Sequence, residues 1–589
     1  MANMPDLSES IVAIREGAKE EPFTYLTILE YHVTTPGVLP TLYEVLQNAE
    51  ITQDIGWDLV KMLIEIEGSE GCLETVARLG NPREVIIAVM ETLVKQSDNW
   101  DPDEEDEEEI SRVSGRIITL IGMLAILQRR IKAKRPSRFL GTSLYSVLRA
   151  YHTTPEITTA IINLVRSLSG RIRPPLPTRT SSINVANPDE NGDFSRNAPD
   201  PEAEPEDPEE DNLKRKYLQV FTTRILKRYV NAHNMQWAPR LYEIYHPDMV
   251  VPGRVTATSA FREDEVLRKR DAVVGQLVAL LQDLGLDDFS GSFLQDADFQ
   301  PGEVDSTAGF DDLDSIDSLP LSPGGVVSLG AYWMFSTDAF NADNPDPEIH
   351  LFPHHLSMMR QFLGTEPQVA ISNNPGITDA LLAIGLGLHH RGLIAATEEP
   401  SFMAYHHCLT LISVFHPDMG VRNAATRFAG VLLHSDPDDE SRLDILEDLL
   451  ENCQFSALKA CAVKWLQEEV MTARNEETSN RFSEPGVIER LQYNIFPDMV
   501  SVANMDSDDF FMFLSENVPF LLQTANFAYF LFNACKDLVP EGIGAAVEQR
   551  FAEPLLMAAQ KFGQADELEG YDRMELSILS DRLESINFR

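Results

Sequence analysis

Along most of this chain apolar residues return every three or four positions, and a two-residue alternation is scarcely sustained anywhere. Val113, Ile117, Leu120, Ile121, Leu124 and Leu127 follow that rule, as do Val266, Val273, Leu277, Leu280 and Leu284. Such spacing gathers side chains on one face of a helix, whereas a half-buried strand would place them at every second residue. The expected fold class is therefore all-α. With 589 residues the chain is long enough for several packed units or one extended array, since a domain takes roughly 100 to 200 residues.

A repeat narrows the choice. Between residues 401 and 474, a shift of 37 residues lays Leu409 on Leu446, Ile412 on Leu449, Val421 on Leu458, Arg422 on Lys459, Ala424 on Cys461, Ala425 on Ala462 and Phe428 on Trp465. In the first copy His416-Pro417-Asp418 stops one helix, because proline disfavours a helical residue before it, and Asp418 is placed to cap the next. Val421, Ala424 and Ala425 then fall on the inner face, with Arg422 turned outward. The pattern resembles the second helix of a HEAT repeat, slightly shorter than the roughly 40 to 47 residues usual for that class. Tyr31 to Pro36 and Tyr151 to Pro155 share a Thr-Pro junction, with Thr as N-cap and Pro at the first helical position. His246 to Met249 and Phe496 to Met499 reuse the turn at His416 to Met419 and are read as helix junctions. The expected architecture is a HEAT/armadillo-like helical-repeat solenoid, interrupted by acidic disordered loops, with a concave surface for proteins.

Charge locates the interruptions. The formal net charge is −45, and most of the excess lies in three stretches: Asp101 to Glu109, Asp189 to Asp211 and Asp287 to Asp317. A surface this acidic repels a polyanion, so direct nucleic-acid binding is not expected. The second stretch extends a Pro- and Ser-containing segment from Arg171 and has too little apolar content for a core, so it is expected to be disordered. The third alternates acids with Phe289, Phe293, Phe299 and Phe310, a composition that suits a solvated loop or a docking segment. The resulting division is N-terminal helical hairpins over 1–97, an acidic linker over 98–109 and a helical repeat over 110–170. A disordered acidic Pro-rich linker (171–212), a helical repeat (213–286) and an acidic loop (287–322) follow, then HEAT-like repeats (323–475) and C-terminal helical repeats (476–589). Arg129-Arg130-Ile131-Lys132-Ala133-Lys134-Arg135 opposes the trend. It reads as a cationic helix end, with a nuclear-import address or pairing to Asp101 to Glu109 as the two roles to weigh.

Catalytic patterns are missing. There is no GxxxxGK[ST], no HExxH and no GxSxG, and Gly385-Leu386-Gly387 lacks the third glycine of a dinucleotide fingerprint. Pro353 spoils the helical geometry that would aim His350 and His354 at one metal, with His355 beside them. His406, His407 and Cys408 face different sides of a helix. The five cysteines, Cys72, Cys408, Cys453, Cys461 and Cys535, include no CxxC and suit a reducing compartment. Cys453 and Cys461 fall on opposite sides of a break near Gln454, and the match of Cys461 to Ala424 points to packing. No catalytic, cofactor-binding or metal-ligating residue is expected, and no enzyme; a thiol-dependent redox enzyme is the reading from another class. The apolar run Ile117 to Leu127 is shorter than the roughly 20 residues that span a bilayer, so no membrane span is expected. Asp6, Glu9, Arg15 and Glu16 argue against an ordinary secretory signal.

The segment Ile51 to Ile64, reading I-T-Q-D-I-G-W-D-L-V-K-M-L-I, follows a first helical hairpin. It resembles the Trp-Asp-Leu segment near the start of fungal YAP-binding proteins, which belong with plant Alf and animal glomulin. The acidic break after Trp100, the helical length and the HEAT-like core are similar too. For the fungal members the resemblance implies a cytosolic adaptor that binds an AP-1-like bZIP transcription factor and promotes its peroxide-dependent activation, with a thiol peroxidase as a further partner. For the plant and animal members it implies binding of the RING subunit of cullin ubiquitin ligases through C-terminal repeats. The expected location is cytoplasmic and also nuclear. No contact residue carries over, because no partner-binding motif is readable in Val487 to Arg589. Trp57 is expected to be a packed anchor, since Leu59, Met62, Leu63 and Ile66 continue its apolar face.

Overall fold

A computed structural model describes residues 6–98, 100, 107–169, 197–205, 207–287, 320–344, 348–397, 399–475, 480–563 and 570–588. The described residues are helical hairpins joined by short links, and their only β pairing is a single bridge between Phe352 and Ala395. The chain divides into two compact units, Met1–Trp237 with Val250–Glu348, and Ala238–Met249 with Ile349–Arg589. Most of the acidic runs 101–106 and 288–319, and the linker portion 170–196, lie outside the described residues.

In the first unit the helices up to Ser137–Arg149 each pack on the one two places further along. Ala49–Leu63 meets Pro82–Asp98, Glu70–Leu79 meets Glu107–Arg130, Pro82–Asp98 meets Ser137–Arg149, and Glu107–Arg130 meets Pro155–Leu168. The helix starts follow from local chemistry. Asn48 accepts the Glu50 N–H at 3.1 Å, Thr154 accepts that of Ile157 at 3.3 Å with Pro155 at the first helical position, and Asp264 accepts those of Val266 and Leu267. Thr35 departs from the expected cap. Pro36 opens a single 3-10 turn, Pro36–Val38, without a side-chain cap, and the α-helix starts only at Leu39. Val266 also departs: it is 60% exposed, while Val273, Leu277, Leu280 and Leu284 are buried. It sits in the first turn of Glu265–Asp283.

Within the recognised segment Gly56 matters more than Trp57. A Cβ on Gly56 would come 3.2 Å from Val85 Cγ2 and 3.5 Å from the Gly80 Cα, so the glycine lets two helices close up. Trp57 is half-buried, with the Lys61 ammonium 5.6 Å from its ring centre, whereas Leu59 and Leu63 are fully buried on the adjoining face. The helix Glu107–Arg130 extends well past its eleven-residue apolar run and is long and apolar enough to cross a membrane by length and composition. Its residues Val113, Ile117, Leu120, Ile121, Leu124 and Leu127 are buried against neighbouring helices.

The expected 171–212 linker is described only at 197–205 and 207–212, and there it differs from what its composition suggests. Its described part from 197 onward lies on the protein, with Ala198, Asp200 and Glu210 buried. The reason is ionic. Arg83 and Arg130, on helices far away in sequence, take up Asp200 and the Ala198 carbonyl, and this offsets the missing apolar content. Within the basic run, the Arg130 side chain and the backbone N–H groups of Lys132 and Lys134 are partnered by this stretch. Its helix ends at Arg130, and 131–135 continue as an irregular link.

The second unit carries the repeat. Phe402–Phe415 pairs with Met419–His434, Asp439–Asn452 with Ser456–Asn475, and like helices of the two hairpins also touch. Asp418 caps as expected, accepting the Val421 N–H at 2.9 Å. Leu409, Leu446, Ile412, Leu449, Val421, Leu458, Ala425, Ala462, Phe428 and Trp465 are all buried. Arg422 turns away from that face and donates from Nε to the Ser413 carbonyl at 3.1 Å, tying the turn. The turns at Pro247 and Pro497 are also helix junctions. Pro247–Met249 is a 3-10 turn, and Asp498 accepts the Val500 N–H at 2.9 Å without starting a long helix.

Candidate partner-binding groove

Repetition creates a groove where the two hairpins adjoin. Phe402–Phe415 and Asp439–Asn452 are the first helices of successive hairpins, and the turn into Ser456–Asn475 closes one end between them. The cavity holds about 330 Å³ and is walled by Leu411, Val414, Phe415, Phe455 and Leu458. Phe415 and Phe455 meet edge to face with ring centres 6.0 Å apart, and Phe455 stays 46% exposed. The exposed Phe455 beside this apolar cleft leaves aromatic area in contact with solvent that burial would stabilise.

One polar cluster orients the rim. His407 Nε2 lies 2.8 Å from Asp448 Oδ2, and Asn452 donates to Asp448 Oδ1 at 2.9 Å. Burial alone would raise the Asp448 carboxyl, but the bonds from His407 and Asn452 outweigh it and hold the group below the usual carboxylate range. Asp448 is therefore an anion at neutral pH. Cys453 lies at the same end, its sulfur accepting the Phe455 N–H at 3.4 Å, and the Lys459 charge acts on it. Burial pushes the Cys453 thiol up, so the groove holds a thiol and not a thiolate nucleophile.

The histidines weighed in the sequence do not converge. His350 and His354 are linked through a backbone N–H donated to His354 Nδ1 at 3.2 Å, while His355 is buried with Nδ1 2.7 Å from the Tyr405 hydroxyl. His406 points inward against Trp465, ring centres 5.5 Å apart, whereas His407 points outward to Asp448. Among the described residues no three His, Cys, Asp or Glu side chains gather as metal ligands. A second charged cluster joins the hairpins on the other side. His434 contacts Glu469 at 2.6 Å and Glu468 at 3.2 Å, and Arg442 contacts Glu469 at 3.1 Å and Asp439 at 2.7 Å. Its pairing accounts for every member, so it reads as a clip.

No sequence motif pointed to the groove. Its parts come from two repeats, and the 37-residue shift, which lays Leu411 on Asp448 and Phe415 on Asn452, is the one signal that places them side by side. A family model described as YAP/Alf4/glomulin matches residues 4–581. No curated protein and no solved structure matches the chain.

Proposed function

Because the chain belongs to the YAP/Alf4/glomulin family, we propose that it is a non-catalytic adaptor that binds an AP-1-like bZIP transcription factor and promotes its activation under peroxide. The observation that carries this reading is the extent of the family match, which runs through both helical units. Charge supports it: a bZIP factor presents a basic helical region, and a chain of net charge −45 attracts such a partner and steers its approach. In this reading the partner lays a segment carrying cations and apolar side chains along the groove, a cation facing Asp448 and an apolar residue covering Phe455. Binding takes place in the cytoplasm and the nucleus, and a thiol peroxidase supplies the oxidising chemistry.

The test is recovery of partners from peroxide-treated cells, followed by binding of the purified factor. An AP-1-like bZIP factor retained by the parent chain and weakened at least tenfold by Asp448→Lys with Phe455→Glu is the expected result. Recovery of a RING-cullin complex in place of a bZIP factor would replace this reading with the glomulin-like one.

A further inference from the structure

The basic run Arg129 to Arg135 is not explained by the adaptor role. Its last four residues, Lys132-Ala133-Lys134-Arg135, lie in the non-helical link between Glu107–Arg130 and Ser137–Arg149, with Lys132, Lys134 and Arg135 exposed. A short cationic segment presented as non-helical chain is the form in which import receptors with acidic grooves read their cargo, through separate cations and the backbone between them.

That backbone is already engaged. Lys132 donates its N–H to Asp200 Oδ2 at 2.9 Å, and its carbonyl accepts the Glu204 N–H at 2.6 Å. Lys134 donates its N–H to Glu204 Oε2 at 3.3 Å, and its carbonyl accepts the Asp207 N–H at 3.1 Å. Beyond them Glu210 accepts the Ser137 N–H at 2.9 Å. The strap formed by 197–205 and 207–210 thus runs beside the link and satisfies its polar groups one after another.

Two arginines fasten the strap. Arg83 reaches Asp200 at 3.3 Å and the Glu202 carboxylate at 3.0 Å, and it also bonds the Glu202 carbonyl. Arg130, 5% exposed, donates to the Ala198 carbonyl at 3.1 Å and to the Ala77 carbonyl at 2.7 Å. Between these anchors Glu202 and Glu204 remain exposed, so only a few side chains hold the segment.

We propose that Lys132 to Arg135 is a docking segment for a nuclear-import receptor with an acidic groove, and that the strap of residues 197–205 and 207–210 occupies its backbone in the resting protein. The strap does to the backbone in cis what the receptor would do in trans: its carboxylates and N–H groups take the N–H and carbonyl groups of Lys132 and Lys134, while the cationic side chains stay exposed. Receptor and strap cannot hold the link at once, so access is set by release of the strap. Import is thereby coupled to whatever loosens the Asp200 anchor.

The experiment compares the full chain, tagged for imaging, with Asp200→Asn/Glu204→Gln and with a variant whose residues 198–205 are replaced by glycine and serine. Amide exchange over the strap reads release, and circular dichroism confirms the helical fold. The expected result is faster exchange together with at least a threefold rise in the nuclear-to-cytoplasmic ratio. Adding Lys132→Ala, Lys134→Ala and Arg135→Ala should return that ratio to the parent value. Three outcomes would overturn the proposal: release without nuclear gain, a gain that survives loss of the three cations, or the Gly/Ser replacement leaving localisation unchanged in a folded chain.

Discussion

Gly430 lies directly against the indole of Trp465: a Cβ added to Gly430 would stand 3.0 Å from Trp465 Cε2 and closer still to Nε1. The two residues belong to the second helices of adjacent hairpins, Met419–His434 and Ser456–Asn475, so this contact sets how closely the repeats stack. Neither a backbone nor a ring yields easily in a close-packed interior. Gly430→Ala should therefore cost about 1–3 kcal/mol. Trp465→Ala, which empties the same space, should cost about 3–5 kcal/mol, as should Phe428→Ala at the matching position. In a Trp465→Ala background the Gly430→Ala penalty should shrink, because the ring it strikes is gone. Urea midpoints for the four-member cycle check this; an equal penalty in both backgrounds would refute the contact.

The repeat was legible because its apolar residues are local in sequence and its turns carry capping chemistry, as at Asp418. The groove was not, since Asp448, Phe415 and Phe455 mean little until two helices lie side by side. The strap reads from composition as disordered, and so it would be if apolar burial were its only source of order. What fixes it is a pair of arginines, Arg83 and Arg130, more than sixty residues away, and no local pattern announces such pairing. Trp57 misled in the other direction. The aromatic residue draws the eye in the recognised segment, while the small Gly56 beside it makes the closer helix contact.

The His434 clip predicts a stability change on the alkaline side. Burial alone would lower the imidazole, but hydrogen bonds and charges from Glu468 and Glu469 outweigh it and raise the group from 6.5 to about 9. Arg442, Asp439 and Lys464 complete the charged surroundings. A group whose folded value is raised contributes stability that is fully present below its unfolded value and fades as pH climbs through the folded one. The stability difference between the parent and His434→Gln should thus be constant below about pH 6.5 and shrink progressively up to and beyond about pH 9. Denaturation at a series of pH values measures it, and a difference independent of pH up to 10 would remove the ionised pairing.

His406 works with the opposite sign. Its ring is buried with no hydrogen-bond partner at either nitrogen, and burial, followed by the nearby His407 charge, pushes its value down from 6.5 to about 3, against a small opposing pull from Asp448. The unfolded chain gains a proton at this residue as pH falls below about 6.5, and the folded chain does not, so stability is lost across that interval. Replacing the ring with Leu removes both the unpartnered polar atoms and the titration. His406→Leu is expected to match or exceed the parent at neutral pH, since an unsatisfied buried polar group costs about 1–3 kcal/mol. Its advantage should widen from pH 6.5 toward pH 4. An advantage that stayed flat, or reversed, would show that the imidazole is partnered in solution.

The thiols decide whether the chain transmits oxidation by itself. Cys72, Cys408 and Cys535 are buried, Cys453 and Cys461 partly so, and none is paired. Burial raises all five, taking Cys72 and Cys408 to about 11, and only thiolates react quickly with peroxide. Alkylation of the native chain at pH 7 should be slow, with Cys453 and Cys461 modified before the other three. Substituting all five with Ser or Ala lowers stability through lost packing, yet partner binding should survive wherever the fold survives. The chain would then act by raising the effective concentration of an oxidant sensor beside the transcription factor, with the redox chemistry carried by those partners. The measurement is peroxide-driven disulfide formation in the reconstituted factor, using folded variants that each lack one cysteine. If a single substitution abolished that reaction at unchanged stability and unchanged binding, the thiol would be catalytic and the non-catalytic adaptor would have to be given up.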